Sequence, residues 1–347
     1  MKIIIAILVF GLIIFFHELG HFLLAKKNGI TVTEFSLGMG PRLCSFERGG
    51  TRYSLKLFPI GGSCMMLGED ELVEDEGAFN KKGVWARISV IIAGPVFNFI
   101  LAFFMALIVI GVIGYDPAVV MGVEENAPFA EAGIQEGDVI TRFDGRKIYF
   151  ARELNLNLQL DPLTDEEVTL TYERNGEKQT VTLTPQKTES GSYRLGFSYS
   201  MYNRQKTGPL GTVKYAALEV RYWIQSTIKS IGMLIRGQVS KDDIAGPVGI
   251  VDMIGDSYEQ SKPDGPLYVL LNILNISILL SANLGVMNLL PIPALDGGRL
   301  VFLLLEAVRG KPINQEKEGL IHMIGLIALL ILMAFIVFND FSRIFSR

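Results

Sequence analysis

His17-Glu18-Leu19-Gly20-His21 lies inside the run Ile3–Ala25, which is otherwise uncharged. Such a run is long enough to cross a bilayer, which takes about 20 apolar residues. On a helix, residues four apart share a face, so the two imidazoles can reach one metal. Glu18 then lies beside them, placed to take a proton from an attacking water. An ionisable side chain near the bilayer centre costs at least about 2.5–3.5 kcal/mol, so residues of this kind are retained for function. Two of the chain's three histidines fall in this pentapeptide.

The surroundings agree with a membrane setting. Across 347 residues, 49% are hydrophobic, and the mean hydropathy of +0.35 is that of a membrane protein with soluble insertions. Four segments have spanning length: Ile3–Ala25, Ile88–Tyr115, Leu267–Leu290 and Gly319–Phe338. The first resembles a signal peptide in having Lys2 before an apolar run. It continues through the His-Glu motif without a small-residue processing site, and is read as a retained helix. Lys26, Lys27, Arg42, Arg48, Arg52, Lys56, Lys81, Lys82 and Arg87 lie between the first two spans, and Arg299, Arg309, Lys311 and Lys317 between the last two. The positive-inside rule makes both loops cytoplasmic and puts both termini, with about Asp116–Pro266, outside; the last nine residues carry only Arg343 and Arg347. The formal charge of −4 gives no signal for nucleic acid. Cys44 and Cys64 both fall in the first cytoplasmic loop, where a reduced structural role is expected rather than a disulfide or a metal site.

Within that loop, Arg52–Phe58 alternates polar and apolar residues, Pro59-Ile60-Gly61-Gly62 supplies turn chemistry, and Ser63–Leu67 returns as a second strand, predicting an apolar hairpin. The acidic run Glu69–Glu76 reads as a solvated loop. In the second span, Gly94 four residues before Asn98 permits close helix contact and an interhelical hydrogen bond. Outside, Val119–Val123 is a candidate strand, Phe150–Leu160 a helix, and Val168–Glu173 with Gln179–Thr184 a hairpin across Asn175-Gly176. Pro209–Gln238 is helical and amphipathic, too charged to span, and suited to lie on the membrane or pack under the soluble segment.

A catalytic zinc needs three protein ligands and one open position, so a third must come from elsewhere. After the third span, Pro291 and Pro293 interrupt the helix, and Asp296 is the first carboxylate after Asp264. Unwound backbone at membrane depth is tolerated only where it is buried in protein or faces water. Taken alone, Asp296 is equally a helix cap; taken with the His-Glu motif, it is the candidate third ligand.

The chain resembles the site-2 proteases, zinc metalloproteases that cut substrate helices within the membrane. The likeness is carried by HELGH (17–21), EFSLGMGP (34–41), FPIGGSCMMLGE (58–69), AGPVFNF (93–99), DIAGPVGI (243–250), NLLPIPALDGGR (288–299) and FNDFSR (338–343). It is greatest to the bacterial branch typified by the regulator of sigma-E protease, which carries an extracytoplasmic PDZ domain. There is room here for one such domain, so a filter built from a tandem pair is not implied.

The resemblance implies a polytopic α-helical membrane protein of four transmembrane helices, with an inserted extracytoplasmic α+β PDZ domain and a membrane-associated β-hairpin. It divides as 1–114 (His-Glu helix, hairpin loop and second span), 115–187 (PDZ), 188–265 (amphipathic linker) and 266–347 (the LDG motif and fourth span). Carried residue by residue, it makes His17, His21 and Asp296 ligands of Zn2+, Glu18 the general base, and Asn288 the residue that hydrogen-bonds substrate or oxyanion. Pro291 and Pro293 shape the break, and His322 is left as a helix residue without an assigned role. The implied location is a bacterial cell membrane, with the active site toward the cytoplasm and lipid around the spans. The implied partners are single-span proteins, such as anti-sigma factors and signal-peptide remnants, with no nucleic acid among them. A silent scaffold would need a broken metal motif, and a zinc transporter a polar path through several spans; the sequence offers neither.

Overall fold

The computed structural model describes residues 1–69, 71–200, 203–239 and 245–345. Asp70 of the acidic run, Asp243 and Ile244 of the DIAGPVGI motif, and the terminal Arg347 lie outside them. Two compact units are formed, Met1–Ala106 with Trp223–Arg347, and Leu107–Tyr222.

Helix α1 (Lys2–Lys27), α2 (Val84–Ile113), α7 (Pro266–Asn288) and α9 (Gln315–Phe345) each contain a stretch long and apolar enough to cross a membrane. The predicted four spans are thus all helical. Between α7 and α9 the chain breaks over residues 289–295 and resumes as the short helix α8 (Asp296–Arg309). Ala25, Ile30, Val32, Phe35, Cys64, Ile91 and Leu303 form the apolar core where α1, α2 and α8 meet the loop that follows α1.

That loop corrects the sequence reading. Its strands are longer than expected, β1 Val32–Arg48 and β2 Thr51–Met66, turning at Gly49-Gly50. Arg52–Phe58 and Ser63–Leu67 do not pair with each other. Residues 34–37 lie between them, paired with 62–65 in antiparallel register on one side and with 52–55, numbers rising together, on the other. Residues 44–48 complete the sheet against 51–55, leaving 62–66 as an edge. The folding back of β1 is made by Gly38 and Gly40, both at φ +84°, a conformation costly to residues with a Cβ. Glu34 is buried at the centre, where Arg42 (2.9 Å) and Ser54 (2.6 Å) donate to it and Lys56 lies 3.6 Å away. Burial would raise its carboxyl, but these donors and charges bring it down to about 2. In the acidic run Glu69 is not simply solvated, since it pairs with Arg299.

The second unit carries a four-stranded sheet in the order β5 (Arg146–Lys147), β4 (Val139–Phe143), β6 (Val168–Arg174), β7 (Glu177–Leu183). Asn175 and Gly176 both adopt positive φ, the geometry that an Asn-Gly hairpin turn requires. Strand β3 (Val120–Val123) pairs with a strand at Phe197–Tyr199, so strand pairing runs on past residue 187. Phe129, Ile140, Leu154, Leu170 and Leu195 fill the core, with the helix Ala151–Leu160 packed on it. The amphipathic segment is a helix over Pro209–Ile235. In its first half Ala216, Glu219 and Tyr222 are buried, with Arg152 of the helix Ala151–Leu160 bonded to Glu219 and seated on the Phe150 and Tyr222 rings.

Asp138 is buried in this unit and takes two bonds from Arg174, at 2.7 and 2.6 Å, and one from the amide of Gln135. Burial acts to raise its carboxyl, and Arg174 and the amide outweigh that and hold it below the usual range. A depressed carboxyl stabilises above its unfolded pKa of about 3.9 and loses that contribution as pH falls through the folded value. Asp138→Asn should therefore cost about 2–3 kcal/mol at pH 7. Thermal unfolding of the full chain across a pH series should show the gap to wild type closing below about pH 4.

Candidate active site

Three atoms converge beneath the sheet. His17 Nε2 stands 3.3 Å from His21 Nε2 and 3.2 Å from Asp296 Oδ2, and His21 Nε2 is 3.4 Å from the same oxygen. The histidines come from one face of α1, as the spacing predicted. Asp296 arrives because the chain is unwound after Asn288 and restarts at Asp296, where the amide end of α8 favours a carboxylate. His17 and His21 are 8% and 6% exposed, so little water screens the cluster.

The donor set fits a zinc ion. Bonds of about 2.0–2.1 Å at tetrahedral angles put neighbouring ligands about 3.3 Å apart, which is the edge of this triangle. His21 Nδ1 lies 2.9 Å from the carbonyl of Val90. A carbonyl only accepts, so that nitrogen carries the proton and Nε2 is left with a lone pair. Asp296 Oδ2 is buried with no hydrogen-bond donor. Acceptors facing acceptors in a dry site are reconciled by a cation, and among the described residues this is the one cluster of three His, Cys, Asp or Glu side chains placed to hold one.

Glu18 faces the other way, toward the sheet. The backbone amide of Cys64 lies against its carboxylate, and a Cβ on Gly62 would touch its Cγ at 3.0 Å. The general-base candidate therefore sits between the triangle and the edge strand 62–66. Asn288, the last residue of α7, brings its Nδ2 to 3.4 Å from His17 Nε2. All five residues singled out in the sequence are thus assembled. Cys64 is buried and Cys44 exposed, both as free thiols outside the cluster.

Two contributions were only half legible. A Cβ on Gly94 would collide with both imidazoles, so its absence makes room for the histidines rather than merely for a helix. Asn98 is fully buried, with Nδ2 3.3 Å from His17 Nδ1 and Oδ1 without a partner. For His17 to offer Nε2 to a cation, Nδ1 must hold the proton; turning the amide by 180° about its last torsion makes Oδ1 the acceptor. The Gly94–Asn98 spacing signalled an interhelical bond, and its partner proves to be His17.

The sequence matches the family model described as Peptidase family M50 over residues 5–332. The chain belongs to peptidase family M50. It is a multi-pass membrane protein and a zinc metalloprotease of the site-2 type. Among its relatives are the zinc metalloprotease RasP of Bacillus licheniformis, 34% identical over 98% of both chains, and a putative zinc metalloprotease of Clostridium acetobutylicum, 35% identical over 98% of this chain and 97% of that one. The regulator of sigma-W protease RasP of Bacillus subtilis is 31% identical over 98% of both. A solved PDZ domain from an SdrC-like protein of Listeria monocytogenes aligns at 21% identity over 24% of this chain and 88% of that one, with a TM-score of 0.22.

Replacing Asn98 by Leu should weaken zinc binding about 10–100-fold, as loss of a ligand's hydrogen-bonding partner commonly does. Asn98→Asp, which keeps an acceptor, should stay closer to wild type. Chelator competition on the purified protein measures both, and equal affinities for Leu and Asn would refute the contact.

Proposed function

We propose that the protein hydrolyses peptide bonds within the transmembrane segments of single-span substrates, with His17, His21 and Asp296 holding the zinc. The supporting observation is the triangle of lone pairs made by two histidines of the spanning-length helix α1 and by Asp296 at the start of α8, with Glu18 between it and strand 62–66. When bound, zinc supplies the Lewis acidity that activates water and polarises a carbonyl at neutral pH. Glu18 takes the proton of the attacking water and returns it to the leaving amine. Asn288 donates its amide N–H to the developing oxyanion.

A helical substrate hides its carbonyls and must unwind to be cut. Strand 62–66 offers one unpaired edge, to which an unwound segment adds as a further strand, held by main-chain bonds. Met39, Leu43, Phe46, Leu57, Phe58 and Met65 are exposed on this sheet and suit contact with lipid. Lys26 marks the cytoplasmic edge of α1, so Leu19 lies roughly 10 Å in, and cleavage falls in the cytoplasmic half of the substrate helix. We read the region around 115–187 as an extracytoplasmic PDZ domain that screens substrates by external bulk. Anti-sigma factors and signal-peptide remnants are the candidate substrates, the former in keeping with the sigma-W relative.

Glu18→Gln should abolish cleavage of a single-span model substrate while leaving one zinc per chain, because the amide keeps the shape but accepts no proton. Asp296→Ala and His17→Ala should lose the metal; full zinc occupancy in both would sink the ligand assignment. In the same assay, wild type should cut a substrate trimmed outside faster than one bearing a folded external domain.

Sidedness has a separate test. A cysteine introduced at position 80 should resist an impermeant thiol reagent in intact cells and one at 190 should react. The reverse pattern would place the active site near the outer face.

A further inference from the structure

The carboxylate at 296 depends on a backbone turn that the ordinary residue preferences do not favour. Ala294, two residues before it, has φ +75°, a left-handed conformation that an alanine adopts only when its surroundings impose it. The amide of Ala294 donates to Nδ1 of His322 at 2.8 Å, across from the fourth spanning helix. One turn further along α9, a Cβ on Gly325 would run into Pro293, so the helix lies directly on the break at that point. The His322 ring is set against Phe302 of α8, with centroids 5.5 Å apart. An acceptor at Nδ1 fixes the ring proton on Nε2, where the Glu318 carboxylate stands 3.9 Å away.

The geometry points to His322 as a positioning residue for the metal site, acting through the Ala294 amide to hold the turn that presents Asp296. The inference rests on Asp296 being a zinc ligand. His322 itself lies outside the ligand cluster. Its effect is on how often the 289–295 segment occupies the one conformation in which Asp296 Oδ2 completes the triangle. Loss of the acceptor removes the Ala294 amide's side-chain partner and releases a left-handed alanine, and both relax by moving the segment that carries the ligand. The bond needs an acceptor at the Nδ1 position and nothing else of the imidazole. Asparagine places its Oδ1 there, glutamine places its oxygen one bond farther out, and phenylalanine keeps the ring against Phe302 without any acceptor.

The test uses the full-length detergent-solubilised protein and reads zinc affinity by chelator competition, together with kcat and KM on a single-span model substrate. His322→Phe and His322→Gln should bind zinc at least tenfold more weakly, with kcat reduced and KM within about twofold of wild type. His322→Asn should recover both affinity and kcat to within about threefold. The assignment is overturned if Phe or Gln matches wild type, or if Asn is as defective as Gln. Asp296→Ala runs alongside. If it loses zinc while all three His322 variants keep it, the ligand reading stands and the positioning role fails. If it keeps zinc, the ligand reading fails and takes this inference with it.

Discussion

Two imidazole nitrogens and a carboxylate oxygen, each presenting a lone pair to the same point, repel one another unless a cation sits among them. Inside a dry bundle little solvent softens that repulsion, and the surrounding structure is arranged to hold the three in place regardless. The Val90 carbonyl fixes the tautomer of His21, Asn98 with its amide turned does the equivalent for His17, and α7 ends ahead of two prolines so that a carboxylate arrives at the start of α8. Each of these commitments removes a polar group from water; the two imidazoles find hydrogen-bonding partners, while the carboxylate oxygen Oδ2 is left for a cation.

The same constraint explains the packing. α2 could not approach the histidines with any side chain at position 94, so it packs against them through Gly94. Ser281 of α7 donates to the carbonyl of Asn98 at 2.8 Å, tying the third span to the backbone of the residue that contacts His17. α9 is different in kind. None of its spanning stretch is buried, and it is held by His322 with Gly325 toward one end and by Asp340, which receives the amides of Gly246 and Gly249, toward the other.

Much of this was readable from the chain, for identifiable reasons. The His-Glu motif stood out because charge is expensive in an apolar helix, and Asp296 because prolines end helices. The spans followed from length and composition alone. The sheet after α1 was not readable in the same way. Alternation in 52–58 and 63–67 shows that both are strands but not what lies between them, and the interposed 34–37 is a pairing between segments distant in sequence. Its cues, Gly38 and Gly40, read equally well as loop residues. His322 and Asn98 had the right chemistry and no visible partner, because a hydrogen bond between helices leaves no periodic trace.

Strand 62–66 has one further consequence. If substrate adds to it as proposed, the edge recognises peptide amides, which every sequence has, and it includes Gly62, which brings no side chain to distinguish one guest from another. Discrimination then shifts to the guest's own helix: a segment rich in leucine and alanine resists extension, while glycine, proline or asparagine lowers the cost of opening it. On this view the enzyme grades substrates by how weakly they are wound, and a residue several positions from the scissile bond affects turnover as much as those beside it.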